Sequence, residues 1–150
     1  MFQMKTRSIE HFDYLREDEM PTPKVSEGAE VPVIQRVREG LEMGEFQALR
    51  EMLEVTEERL AGLLGMSRAT LHRRKKAGRL DRSESDRLVR YARLLSHAAA
   101  ALGGLEGARS WLAAPAIAFH GETPLDYADT EIGAREVDAL LGRIEHGVFS

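Results

Sequence analysis

From residue 33 onward, apolar residues recur at intervals of three and four, the period that gathers side chains on one face of a helix. Val33, Val37 and Leu41 form the first such stripe, with Gly44 as its expected stop. Phe46, Leu49, Met52 and Leu53 form the second. Within "VTEERLAGLLGMSRATLHRRKKAGRL", Thr56 is an N-cap whose hydroxyl can accept a free backbone N–H of the first turn, and Leu60, Ala61, Leu63 and Leu64 supply the buried face. Gly65 ends that helix; Ser67 caps the next, which runs to about Ala77 and closes at Gly78. Ser83 is the expected cap of a further helix, because Asp86 stands three residues on at capping-box spacing. That helix buries Leu88, Tyr91, Ala92 and Leu95 and ends at Gly103-Gly104. A shorter one carries Leu105, Ala108, Trp111 and Leu112 and stops before Pro115. Thr123 and Pro124 open the next, with proline at the first helical position, where its missing N–H costs nothing. The last helix starts near Thr130 with the stripe Val137, Leu140, Leu141, Ile144. No stretch has the alternation of a half-buried strand, so the fold class is all-α.

Residues 1–31 break this pattern. Mixed charge and prolines in "EDEMPTPKVSEGAEVP" read as a flexible arm with no chemistry of its own. The chain thus divides into an arm (1–31), a first helical domain (32–102) and a second (103–150).

The pair of helices from Thr56 to Gly78 has the marks of a helix-turn-helix. Ala61, four residues before Gly65, lets two helices cross closely; Gly65 permits the tight turn; Leu71, six residues after it, anchors the second helix. Gly62 departs from a strong helix, weakening the first one by roughly 1 kcal/mol relative to alanine. Charge sharpens the picture. The net charge is −4, yet residues 68–82 hold seven of the 21 basic residues against one acid, which leaves the remainder of the chain at −10. The basic run sits on the helix that such a motif turns toward DNA. Ser67, Arg68, Thr70 and His72 offer donors to base edges, and Arg73, Arg74, Lys75 and Lys76 can neutralise phosphates.

The C-terminal third adds a second identity. The basic helix-turn-helix followed by "SESDRLVRYARLL" and "ARSWLAAPAIAFHGETPLDYADTEIGAREVDALLGRIEHGVFS" resembles the Xre/MbcA/ParS antitoxins of RES-type toxin–antitoxin pairs. The likeness covers roughly residues 45–150 and departs at "APAIAFHG", where asparagine-proline is more usual. It implies an Xre-like helix-turn-helix domain followed by a small helical toxin-binding domain. It further implies a cytoplasmic homodimer within a larger toxin–antitoxin complex, bound to its own operator DNA as a repressor. The partner it implies is a RES-domain toxin, an NAD-degrading enzyme whose active site the antitoxin's C-terminal segment covers. By motif position, the toxin-binding residues are Arg135, Glu136, Arg143, Glu145, His146, Gly147, Val148, Phe149 and Ser150. The residues themselves agree in kind. Val137, Leu140 and Ile144 read as core, whereas Val148 and Phe149 follow the helix-stopping Gly147 and read as a projecting apolar peptide.

Other chemistry finds little support. There is no cysteine, no apolar run long enough to span a membrane and no signal-peptide pattern near the start. The five histidines lack metal-ligand spacing, no glycine-rich phosphate loop follows a strand, and Glu57-Glu58 reads as a solvated helix face. The expectation is a non-enzyme without metal or cofactor. Trp111 reads as core. The competing reading is an ordinary helix-turn-helix repressor whose C-terminal half dimerises or senses a ligand.

Overall fold

A computed structural model describes residues 32–147, so the arm over 1–31, together with Val148, Phe149 and Ser150, lies outside the described residues. Eight α-helices and one 3-10 turn follow in order: α1 (Val33–Glu39), α2 (Met43–Leu53), α3 (Glu57–Leu63), α4 (Arg68–Ala77), α5 (Arg82–Leu102), α6 (Leu105–Ala113), the turn Ile117–Phe119, α7 (Pro124–Tyr127) and α8 (Glu131–Glu145). Among the described residues there is no strand, only an isolated antiparallel bridge between Glu42 and Arg79. The all-α architecture is therefore as the periodicity predicts.

Most caps also fall where the sequence places them. The side chains of Thr56, Ser67, Thr123 and Thr130 accept the backbone N–H of Arg59, Thr70, Asp126 and Gly133 respectively. Two boundaries differ. Gly44 does not stop α1, which ends at Gly40; Gly44 lies inside α2. The reason is tertiary. Between them, the backbone of Leu41 and Met43 pairs with that of Leu80 and Gly78, and Leu41 N–H donates to the buried Ser85 hydroxyl at 2.8 Å. Those bonds fix where α2 begins, and the modest cost of a glycine in its first turn is tolerated. Nor does Ser83 cap α5. Asp81 does, its carboxylate accepting Glu84 N–H at 2.7 Å while the Glu84 carboxylate accepts Asp81 N–H at 2.9 Å. The box sits two residues earlier than its sequence rival because Leu80 is buried and Glu84 is drawn against Arg74 from the preceding helix.

One apolar cluster runs through the whole described chain. Helix α5 is its spine, packing on α1, α2, α6 and α8 and contributing Leu88, Tyr91, Leu95 and Ala98 to the interior. Polar ties cross the expected domain division. Arg59 of α3 pairs with Asp126 of α7 at 2.6 Å, and this bond, with that from Thr123, holds the Asp126 carboxyl below its ordinary range despite partial burial. The Tyr91 hydroxyl donates to Leu125 O at 3.2 Å, and Arg109 to Met52 O at 3.3 Å. The small domains thus share one core.

Helix α8 lies on α5 through Val137 and Leu141, both fully buried, with Leu140 and Ile144 partly covered beside them. Its start fits closely: a Cβ at Gly133 would stand 1.8 Å from Tyr127 O, so only glycine lets α7 and α8 approach this way. A polar clamp completes the contact. One ring nitrogen of His97, Nδ1, meets Asp138, and Nε2 meets the Glu145 carboxylate at 2.9 Å, both from α8. Burial by itself would lower the His97 pKa, but the bonds from Asp138 and Glu145 outweigh it and raise the pKa above the ordinary histidine value. The folded pKa thus exceeds the unfolded one, so the clamp's stabilisation is fully present below about pH 6.5 and is lost as pH rises through the raised value. We expect the stability gap between wild type and His97→Gln, from denaturation midpoints at pH 5 to 9, to narrow as pH rises. A gap that widens would exclude the clamp.

Gly62 is exposed in α3, and a Cβ there meets nothing within 4 Å. Gly62→Ala is accordingly expected to stabilise the fold by up to about 1 kcal/mol, read in chemical denaturation.

Candidate DNA-binding and partner-binding surfaces

The helix-turn-helix is built by α3, α4 and the turn at Gly65. Leu60, Ala61, Leu63 and Leu64 are buried, and Leu71 locks α4 against them. Gly65 has φ +77°, and a Cβ there would lie 2.0 Å from Nη1 of Arg87. That guanidinium donates to Leu64 O at 2.9 Å, closing the end of α3 from α5. Arg87 is a residue that sequence reasoning missed. It stands 22 positions after Gly65, and nothing local in the sequence links the two.

Burial along α4 sorts its basic residues. Arg68, Ala69, His72, Arg73 and Lys76 are exposed and, at the i, i+1, i+4, i+5, i+8 spacing, form one broad face centred away from Leu71. The side chains of Arg68, His72 and Lys76 make no hydrogen bond or ion pair among the described residues. Arg74 and Lys75 flank Leu71 and turn toward the protein. Arg74 Nε donates to Glu84 at 2.8 Å and Nη2 to Asp81 at 3.2 Å; Glu84, 6% exposed, is thereby neutralised. Lys75 Nζ pairs with Glu57 of α3 at 2.9 Å, which with the Gln47 hydrogen bond lowers the Glu57 pKa. Arg79 donates to Gly40 O at 2.6 Å. Three of the seven clustered cations therefore serve the fold. Ser67 and Thr70 stand at the N-terminal end of the same helix, Ser67 as its cap.

Helix α8 shows a second surface. Ile132, Arg135, Glu136, Ala139, Arg143 and His146 are exposed and recur every three or four residues, away from the buried Val137 and Leu141. Two acidic residues that the sequence assigned to toxin binding are bonded within the chain: Glu136 accepts from the Tyr127 hydroxyl at 2.6 Å, and Glu145 binds His97. Arg135 pairs along its own helix, with Glu131 at 2.7 Å. Gly147 follows the C-cap His146 with φ +66°; Val148, Phe149 and Ser150 lie outside the described residues. Ile132, 75% exposed, was not among the sequence-derived site residues. Its signal was present, since it falls three before Arg135 and seven before Ala139. Trp111 is half-buried, edge-on to Phe119 at 6.4 Å, and Phe119 stacks on Tyr127 at 4.8 Å, so these rings brace the loop that leads to α7. Ile117 on that loop is 98% exposed.

Among the described residues no group of three His, Asp or Glu side chains could hold a metal ion, and no helix is long and apolar enough to cross a membrane.

Residues 32–93 match the antitoxin Xre-like helix-turn-helix domain, and residues 97–147 match the antitoxin Xre/MbcA/ParS C-terminal toxin-binding domain. Among curated proteins, the chain is similar to "Antitoxin Xre" of Yersinia enterocolitica, 40% identical over 85 residues, which is 56% of this chain and 57% of that protein. It is also similar to "Antitoxin Xre" of Photorhabdus laumondii, 38% identical over 74 residues (49% and 50%), and of Pseudomonas putida, 38% over 64 residues (43% and 40%). The chain spans about half the length of these relatives.

Proposed function

From the premise that the chain belongs to the Xre antitoxins, with a helix-turn-helix domain and a C-terminal toxin-binding domain, we propose that it neutralises a RES-domain, NAD-degrading toxin and represses its own operon. The observation that carries this reading is the pair of helix faces left exposed on one core among the described residues: a cationic one on α4 and a mixed one on α8. The α8 stripe, with Arg135 and Arg143, docks on the toxin, and residues 146–150 cover its active-site entrance. The chain works as a cytoplasmic homodimer, so that two α4 helices address two operator half-sites.

The α4 face meets DNA with Lys76 on a phosphate, while Arg74 and Lys75 remain in their ion pairs. We expect Lys76→Ala to weaken operator and non-specific binding alike and to flatten log K against log salt by about 1, measured by fluorescence anisotropy. An unchanged slope would remove Lys76 from the interface. Co-expression with a RES-domain toxin, sought as the product of the gene next to this one, tests the other half. A toxin that stays lethal, or that does not co-purify with this chain, would overturn the antitoxin reading.

A further inference from the structure

The exposed face of α4 offers DNA almost nothing but hydrogen-bond donors. Arg68, Arg73 and Lys76 are donors only, Ala69 is apolar, and the face carries no carboxylate or carboxamide. His72 alone has a ring nitrogen able to accept. Thr70 would ordinarily add a hydroxyl acceptor beside this face, but its Oγ1 already accepts twice. Ser67 Oγ donates to it at 3.0 Å while itself accepting Thr70 N–H at 3.1 Å, and Arg73 Nη2 donates to it at 3.0 Å. With both lone pairs engaged, Thr70 can present only its proton. The chain Ser67–Thr70–Arg73 also fixes the Arg73 guanidinium along the helix, with its Nε and Nη1 protons unengaged among the described residues.

Base edges differ in what they ask of such a surface. In the major groove adenine and cytosine each present an amino donor, which needs an acceptor from the protein. Guanine presents two acceptors, N7 and O6, and no donor; thymine presents one acceptor and a methyl group. We propose that α4 reads guanine through Arg73, with Thr70 as the residue that positions it, and that Arg68 supplies a second donor fork beside the methyl group of Ala69. This rests on the reading of α4 as the DNA-facing helix and moves Arg73 from a phosphate to a base edge. Holding Arg73 in advance reduces the side-chain freedom lost on binding, so the Thr70 bond adds discrimination rather than contact.

The test uses the full chain and a pool of randomised duplexes. Selection is expected to enrich a half-site containing guanine. Replacing that guanine with 7-deazaguanine, which removes N7 but keeps base pairing, is expected to weaken binding about tenfold. In Arg73→Ala the same replacement should have no effect. Thr70→Val should lower the ratio of specific to non-specific affinity several-fold with non-specific binding unchanged, and should add no loss in the Arg73→Ala background. If the chain binds no duplex at all, the DNA-binding reading falls and this inference with it. If it binds, but the selected site lacks guanine or tolerates the deaza base, the guanine assignment alone is overturned. An additive loss in the double variant would mean that Thr70 touches DNA itself, and the positioning role is overturned.

Discussion

Arg74→Ala is expected to cost about 2 kcal/mol of stability while leaving the salt dependence of DNA binding unchanged, the reverse of what a basic residue on this helix suggests. Its guanidinium makes two charge-assisted bonds, to Glu84 and Asp81, each of a kind worth about 1.5–3 kcal/mol when buried and less where water reaches it. Asp81 is substantially exposed and adds little. Glu84 is different: its side chain is 8% exposed, and without Arg74 it keeps a charge with no cation beside it. The same carboxylate closes the capping box of α5, so the loss reaches the helix that carries the core. Arg74→Ala combined with Glu84→Gln should recover part of the deficit, because the amide still accepts Asp81 N–H without a charge to solvate. Denaturant titrations and salt-dependent binding on wild type, Arg74→Ala, Glu84→Gln and the double variant decide the matter. A variant of normal stability with a flattened salt slope would put Arg74 on the DNA after all.

Deleting residues 147–150 is expected to abolish toxin neutralisation while the fold and DNA binding persist. The buried side of α8 ends with Leu141 and the partly covered Ile144, and Gly147 contributes to the described structure only an exposed backbone whose N–H bonds Ile144 O at 3.2 Å. The core therefore has nothing to lose at Gly147. A partner has: an apolar residue such as Phe149 filling a cleft is the type of anchor whose truncation costs about 2 kcal/mol or more. Phe149→Ala alone should then weaken the complex about thirtyfold or more on that scale, measured as the toxin concentration at which co-purification fails. Growth rescue by the truncated chain would refute the role of the tail; unfolding of the truncated chain would place it in the core.

The element order was legible because the helices are amphipathic and the caps are local. Thr56, Ser67, Thr123 and Thr130 each act within three residues of themselves, so the sequence alone contains their geometry. The same holds for the apolar stripe of α8, with Val137 and Leu141 buried and Leu140 half-buried, and for the glycine turn at Gly65. The structure departs from the local pattern where two local signals compete. Ser83 with Asp86 and Asp81 with Glu84 both have the cap-to-carboxylate spacing of a capping box. The choice between them was made by Arg74, on another helix, and by the burial of Leu80. Gly44 was likewise a credible stop until the backbone of residues 41 and 43 found its partners at 80 and 78.

The basic run shows the same division for function. The sequence by itself determined that residues 68–82 carry a concentrated positive charge on a helix-turn-helix, since composition and spacing are local properties. Which of those cations are available was decided by tertiary structure alone. Glu57 and Glu84 lie 18 and ten residues from the bases they neutralise, and only the folded chain brings them within 3 Å. A charge on a sequence can be counted, but whether it faces a partner depends on what the fold sets beside it.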